Sequence, residues 1–334
     1  MRIAIVKLSA LGDIIHAMVV LQFIKQFNRN ISIDWVVEES FKELLNFHPH
    51  INQVYSVNLR NAKKKKSFFV LIKELRRFRK LDHYDLVIDM QGLIKSAIIS
   101  WLIPSTNTIG FDKFSIREKL ASTFYDKRFN MRYEENVIKR NFELIKFALD
   151  LPFLSKDIQN KLPFLFSRNE YTASNLSDIK KNVLVIPGAS HPSKRYPVES
   201  FAKLIHILDA NYLVLWGSRD EELLAKEIKS YEPHVHICPK LSIGKLTSLI
   251  SKLDLVIGSD TGPTHIAWAL NAPSITLFGP TPGYRNTFET SANRIIESDS
   301  RINPNKIDKD DFSIRNIEVE KIVSISKELL RSNN

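Results

Sequence analysis

The chain has 334 residues, more than one hydrophobic core usually serves, and its 44% hydrophobic and 25% charged make-up is that of an ordinary globular protein. A single cysteine, Cys238, excludes an intramolecular disulfide and a cysteine-built zinc site, and fits a reducing compartment. The formal charge of +11 calls for an anionic partner, whether nucleic acid, phosphorylated lipid or a membrane surface.

The start of the chain is basic and then apolar, like a signal peptide. Lys7, Gly12, Asp13 and His16 interrupt the run, however, and no small-residue cleavage site follows. A buried strand over 2–7 and a helix over 13–27 explain it better. No stretch reaches the ~18 uninterrupted apolar residues of a membrane span, so a soluble chain is expected. A strand over 32–37, a short helix over 40–47 and a short strand over 54–57 follow. Next come a basic helix over 68–80, a strand over 86–89 ending in Asp-Met-Gln-Gly, a helix through 100 and a short strand over 108–110. Between Arg60 and Lys80 there are ten basic residues and one acid, Glu74, which marks an anion-facing patch rather than a mixed solvated face.

From 155 to 181 the chain is polar and aperiodic, and alternation then restarts. Strands are expected over 182–186, 212–216, 235–238, 255–258 and 274–277, with helices over 198–208, 220–230, 243–252 and 263–270. A polar stretch over 297–311 precedes a last helix over 317–331. Strands separated by helices imply βαβ units and mostly parallel sheets. The expected division is a domain over 1–165, a linker over 166–181, a second domain over 182–315 and a C-terminal helix over 316–334 packing back on the first domain. In doubly wound sheets ligands bind beyond the carboxyl ends of the strands near the switch point. That singles out the segments after Lys7, Asp89, Ile186, Trp216 and Gly258, with the ligand in a cleft between the domains.

Four constellations carry chemistry. In Ser9-Ala10-Leu11-Gly12-Asp13-Ile14-Ile15-His16, Gly12 permits a tight turn and Asp13 can cap the helix. The same carboxylate could take a proton from an acceptor hydroxyl. In Gly258-Ser259-Asp260-Thr261-Gly262-Pro263-Thr264-His265, a strand ends and a helix begins at Pro263, leaving backbone N–H groups free for a phosphate oxygen. Ser190, Ser193, Lys194 and Arg195 form a basic loop before a helix, suited to a diphosphate whose charge grows as the leaving group departs. Glu221 and Glu222, after a strand, can bind ribose hydroxyls or simply open a helix.

There is no G-x-G-x-x-G after a strand and no G-x-x-x-x-G-K-[ST], which speaks against a Rossmann dehydrogenase and a P-loop NTPase. The nine histidines show no metal spacing, and His48 and His50 are read as non-catalytic. The basic helix lacks interleaved stacking aromatics, so nucleic acid is not expected as a partner.

Taken in order, residues 7–16 and 259–265 resemble the family 9 glycosyltransferases that build lipopolysaccharide core. The segments Asp89-Met90-Gln91-Gly92-Leu93-Ile94-Lys95-Ser96, Gly110-Phe111-Asp112 and Ser115-Ile116-Arg117-Glu118 share the likeness, which covers most of the chain. The resemblance implies an α/β GT-B architecture, two doubly wound Rossmann-like domains facing across a cleft. It implies an ADP-heptose donor in the C-terminal domain and inverting, metal-independent transfer of L-glycero-D-manno-heptose to the first Kdo of Kdo₂-lipid A, with no cofactor. By the same likeness Asp13 matches the base and Lys194 the residue facing the donor phosphates. Ser190, Asp260, Thr261, Gly262, Thr264 and His265 fall to the donor, and Glu221 or Glu222 to its ribose. Ser9, Gly12, Arg60, Lys63, Lys64, Gln91, Arg117 and Arg140 fall on the acceptor side. The implied setting is the cytoplasmic face of an anionic inner membrane, with the lysine run toward lipid.

Two positions depart from the better-known members. Lys63–Lys66 replace Arg- and Trp-rich sequence, and Ala189-Ser190 replace a Thr pair. The rival readings are a sister enzyme that adds heptose to heptose and a nucleotide-sugar epimerase of the same architecture.

Overall fold

The computed structural model describes residues 1–59, 74–168, 170–304 and 307–331. The chain divides into two compact units, Met1–Phe164 and Leu165–Asn334. The first contains β1 (Arg2–Val6), α1 (Leu11–Met18), α2 (Val20–Phe27), β2 (Ser32–Glu38), α3 (Lys42–Leu45), β3 (Gln53–Val57), β4 (Tyr84–Asp89), α4 (Ile94–Leu102), β5 (Ser105–Phe111), β6 (Lys127–Phe129) and α5 (Val137–Leu149). Its six strands run in the order β3-β2-β1-β4-β5-β6, every pair parallel.

The second unit contains β7 (Asn182–Ile186), α6 (Val198–Ile207), β8 (Asn211–Val214), α7 (Arg219–Tyr231), β9 (His236–Ile237) and α8 (Ile243–Ile250). It continues with β10 (Leu255–Ser259), α9 (Gly262–Ala269), β11 (Ser274–Phe278), α10 (Gly283–Asn286), β12 (Asn293–Glu297) and α11 (Val319–Arg331). The order is β12-β11-β10-β7-β8-β9, again all parallel.

Both sheets reverse their winding between two central strands, β1 and β4 in the first and β7 and β10 in the second. There the connecting helices leave to opposite faces, and the loops at the carboxyl ends splay apart. These central strands are apolar without alternation because helices cover both faces: Ile3, Ile5 and Val6, like Val183, Leu184 and Val185, are fully buried. The sequence signal for them was correspondingly strong.

Four elements escaped the periodicity reading, among them the single turn α10. α5 carries Ile138, Phe142, Ile145 and Leu149 on one buried stripe, and Asn136 caps it by accepting the Ile138 and Lys139 amides at 2.9 and 3.1 Å. Strands β6 and β12 lie at the sheet edges, where polar residues dilute the apolar pattern. The single helix expected over 13–27 begins earlier and is divided at Val19 into α1 and α2. Of the basic helix expected over 68–80, residues 74–76 are helical and Arg77–Lys80 form a 3-10 turn. Its remainder, with Arg60, Lys63 and Lys64, lies outside the described residues.

Two boundary expectations need correction. The segment 166–181 is tied into the second unit, since the Tyr171 amide donates to Ser248 Oγ at 2.9 Å and the Ser177 amide to Asn182 Oδ1 at 2.8 Å. The C-terminal helix belongs to the second unit. α11 buries Ile322, Val323, Leu329 and Leu330 in the core of the second unit with Phe201, Leu204 and Ile275. Lys203 pairs with Glu320 at 2.6 Å and the Tyr196 hydroxyl donates to Ile317 O at 2.7 Å, fixing its approach. The amphipathic stripe of 317–331 told that the helix needed a core, and tertiary packing decided which.

At the end of the first unit, Lys161 is only 3% exposed, its ammonium 5.6 Å from the Phe164 ring centre. Burial pulls its pKa down to about 7. The unfolded chain holds that proton up to its ordinary value near ~10.4, so stability rises as pH climbs from about 7 toward 10 and is lowest below 7. The gain is at most about 5 kcal/mol. Lys161→Met should raise the unfolding midpoint at pH 7 by roughly 5 °C and flatten its rise toward pH 10. Thermal unfolding followed by circular dichroism at both pH values checks this; an unchanged pH profile would show that the lysine is not the source.

Candidate active site

In the first unit the loop after β1 is fastened to the loop after β4. The buried Lys7 ammonium donates to Met90 O at 2.9 Å, and Gln91 Oε1 accepts the Leu8 and Ser9 amides at 3.1 and 3.2 Å. Asp89, fully buried, folds the second loop by accepting the Gln91 and Gly92 amides at 2.8 and 3.2 Å and the Tyr125 hydroxyl at 2.7 Å. Burial pushes its carboxyl above the usual range, and the bonds from Tyr125, Ser96, Gln91 and Gly92 offset part of that. Gly92 sits at φ +68°, and a Cβ there would lie 2.6 Å from Ile116 Cγ2, so only glycine fits the turn.

Asp13 occupies the third position of α1, half-buried. Its Oδ2 accepts the Ala10 amide at 3.1 Å, so the carboxylate does cap the helix. Oδ1 has no protein partner among the described residues. One oxygen thus orients the group and leaves the other free for a proton, the arrangement a positioned base needs. Ser9 and Gly12 flank it on the same turn.

The acceptor-side residues separate into two groups. Arg117 is exposed, with its guanidinium 5.0 Å from the Tyr133 ring centre. Arg140 proves different from expectation. It is buried, its Nη1 donates to Met131 O at 2.8 Å and Arg132 O at 2.5 Å, its Nη2 to Ser115 O at 2.7 Å, and it lies 4.4 Å over the Phe111 ring. Those donors stitch the 115–132 connection to α5, so Arg140 shapes the scaffold and does not face an acceptor. Gln91 likewise gives its carbonyl oxygen to the Leu8–Ser9 backbone, which makes it the clamp that sets the Asp13 turn.

In the second unit the loops after β7 and β10 converge on one carboxylate. Lys194, 7% exposed, places its ammonium 2.7 Å from Asp260 Oδ2. His265 Nε2 lies 3.1 Å from Asp260 Oδ1, and Thr281 Oγ1 and Asn286 Nδ2 donate to Oδ2 at 3.1 and 3.3 Å. Burial alone would raise the Asp260 carboxyl; the Lys194 charge and the His265 and Lys194 bonds overcome it and hold the group well below the usual carboxylate range. Thr281 and Asn286 were not singled out by sequence. Thr281 could have been, because it follows β11, the strand beside β10; Asn286, within α10, gave no signal.

Gly262 and Pro263 open α9 with Thr261 as its N-cap. Thr264 does not point toward a ligand as expected: its hydroxyl donates to Ser259 O and Thr261 O at 3.1 and 2.7 Å, closing the turn. The Ser259 and Thr261 hydroxyls, by contrast, are buried without a hydrogen-bond partner among the described residues. Such orphans beside a helix N-terminus and a buried ammonium suit an oxyanion that would satisfy them. Ser190 is exposed at the rim of this loop, and Ser193 is buried, its Oγ 3.0 Å from His191 Nδ1.

The two glutamates are held differently on α7. Glu221 Oε2 accepts the Gly217 and Ser218 amides at 2.8 and 3.1 Å and lies over Gly188, where a Cβ would meet its Cδ at 2.5 Å. It therefore bridges the loops after β7 and β8, while Glu222 is paired with Lys226 at 2.6 Å along the helix. Glu221→Gln should weaken ADP binding about tenfold, and Glu222→Gln should leave it unchanged. Calorimetric titration with ADP distinguishes them; equal losses would show that neither is specific to the ribose.

Each unit is thus a parallel doubly wound sheet, with a carboxylate turn at the first switch point and a turn carrying Lys194, Asp260 and hydroxyls at the second. Residues 69–310 match the family model described as glycosyltransferase family 9 (heptosyltransferase). The chain belongs to that family, and it is a glycosyltransferase of GT-B architecture. It is 41% identical to the lipopolysaccharide heptosyltransferase 1 of Campylobacter coli, over 98% of this chain and 99% of that one. It is 30% identical to the lipopolysaccharide heptosyltransferase 1 of Escherichia coli (strain K12), over 85% of this chain and 89% of that one. Among solved structures it is similar to the E. coli heptosyltransferase WaaC with ADP, with a TM-score of 0.77 and 26% identity across 98% of this chain and all of the other.

Proposed function

We propose that the chain transfers L-glycero-D-manno-heptose from ADP-heptose to the first Kdo of Kdo₂-lipid A, with inversion and without a metal ion, in building the inner core of lipopolysaccharide. The observation that carries the donor half is the buried Lys194 ammonium, held by Asp260 at the head of α9 beside two hydroxyls with no partner among the described residues. Likeness to a heptosyltransferase solved with ADP supports the nucleotide, and likeness to two proteins named lipopolysaccharide heptosyltransferase 1 supports the first-heptose acceptor.

In a direct displacement the acceptor hydroxyl must lose a proton as it attacks the anomeric carbon, while the diphosphate gains charge as it leaves. Asp13 Oδ1 takes the proton. Lys194 meets the growing diphosphate charge, and the α9 amides with the Ser259 and Thr261 hydroxyls receive its oxygens. Asp260 fixes the ammonium before substrate arrives, so no reorganisation is needed at the moment of transfer. Arg117, with the basic segment over 60–80, attracts the carboxylates and phosphates of the acceptor. Among the described residues no helix is long and apolar enough to cross a membrane, and the proposed setting is peripheral attachment at the cytoplasmic face.

Incubation with ADP-heptose and Kdo₂-lipid A, followed by mass spectrometry, tests the reading. A one-heptose gain that persists in EDTA is expected. Gain only on an already heptosylated core would replace it with the sister activity.

A further inference from the structure

α4 and the 3-10 segment Lys119–Phe124, from the β5–β6 connection, pack against each other. Glu118 Oε2 accepts the Ile94 amide at 2.6 Å, and the Trp101 and Phe124 rings meet edge-on with centres 6.1 Å apart. Trp101 and Leu120 are nonetheless 56% and 68% exposed, and Phe114 in the same connection is 72% exposed. Single exposed apolar residues are ordinary. Trp101 and Leu120 leave apolar surface open on two elements that pack together, and Phe114 adds more within the same connection.

Exposed cations surround it. The Arg79 guanidinium lies 5.6 Å from the Trp101 ring centre and the Lys113 ammonium 5.0 Å from that of Phe114, while Lys95 and Lys119 stand on the same two elements. Two acids of the stretch, exposed Glu118 and half-buried Asp112, are engaged by backbone amides. Glu118 binds the Ile94 amide, and Asp112 binds the Phe114 and Ser115 amides and the Ser115 hydroxyl. Apolar side chains ringed by lysine and arginine match a bilayer interface, where the former enter the acyl boundary and the latter meet headgroup phosphates.

We propose that this face of α4 and the β5–β6 connection is the surface on which the protein docks to a bilayer carrying anionic headgroups. The proposal rests on the reading of a lipid-borne acceptor and assigns the surface that meets the lipid. α4 starts two residues after the Gly92 turn, so the docked face runs up to the loops that carry Gln91 and Asp13. The lysine run over 63–66 is not needed for it, because Trp101, Phe114 and Leu120 supply the insertion and Arg79, Lys95 and Lys119 the charge.

The test is co-sedimentation of the full chain with phosphatidylcholine vesicles, with and without phosphatidylglycerol. The wild type should bind only the anionic vesicles, and brominated lipid should quench Trp101. Trp101→Ser with Leu120→Ser should lower partitioning at least tenfold, and Lys95→Gln with Lys119→Gln about tenfold, each near-surface cation being worth about fivefold or less. Both variants should keep ADP affinity and unfolding midpoint, which guards against misfolding. Wild-type vesicle binding by the Trp101/Leu120 variant would overturn the assignment. So would self-association of the wild type, seen by ultracentrifugation and abolished by the same variant, without any binding to vesicles. Heptose transfer in detergent without vesicle binding would defeat this proposal and spare the transferase reading; vesicle binding without transfer would do the reverse.

Discussion

Asp13→Asn should lower kcat for heptose transfer by about 10²–10⁴ while leaving ADP affinity within about twofold. The substitution keeps an oxygen able to accept the Ala10 amide at the start of α1, so the cap survives and the fold with it. What it removes is the second carboxylate oxygen as a proton acceptor. Asp13→Ala should lose the same activity and also about 1 kcal/mol of stability through the cap. Comparing the two by single-turnover kinetics and thermal unfolding separates the chemical from the structural contribution. If Asp13→Asn turned over near the wild-type rate, the carboxylate would be a helix cap and nothing more.

The second large effect belongs to Lys194. Its ammonium and Asp260 are a buried pair, and removing one partner leaves the other charged and desolvated. Lys194→Met should therefore cost about 3–5 kcal/mol of stability, besides lowering kcat by roughly 10²–10³ through loss of leaving-group stabilisation. Thr281, Asn286 and His265 remain on Asp260 and set the lower end of the stability range.

The pH dependence follows from the sign of the Asp260 shift. The folded carboxyl is held well below its ordinary range, whereas the unfolded one protonates near pH ~3.9. The pair's contribution is thus complete above about pH 4 and is lost as pH falls below it. In Lys194→Met the loss should begin at higher pH, because the chief opposing charge is gone. Lys194→Met with Asp260→Asn removes both charges and should recover stability without activity. Unfolding midpoints between pH 3 and 7 check this; full recovery of turnover in the double variant would remove Lys194 from the chemistry.

The residues legible in the sequence were those whose chemistry is local. Asp13, Lys194 and the Asp260–His265 loop each follow a buried apolar strand and precede a helix, a position that needs few polar residues unless they bind something. Glu221 and Glu222 were equally legible and could not be told apart, since both fit the first turn of a helix. Only the proximity of Gly188, 33 positions away in the chain, separates them. Arg140 misled for the same reason. The family resemblance placed it among acceptor-side cations, and nothing local shows that three backbone carbonyls and the Phe111 ring take its guanidinium.

By itself the sequence determined the two α/β units and their parallel strands, because uninterrupted apolar runs and helical stripes are local consequences of burial. Tertiary structure decided which core received α11, which backbone carbonyls engaged Arg140, and that Gln91 clamps the turn bearing Asp13. It also decided that Thr281 and Asn286 close on Asp260. Each of these joins residues far apart in the chain, and their pairing is set by strand order and by the need to satisfy buried polar groups, neither of which has a local signature.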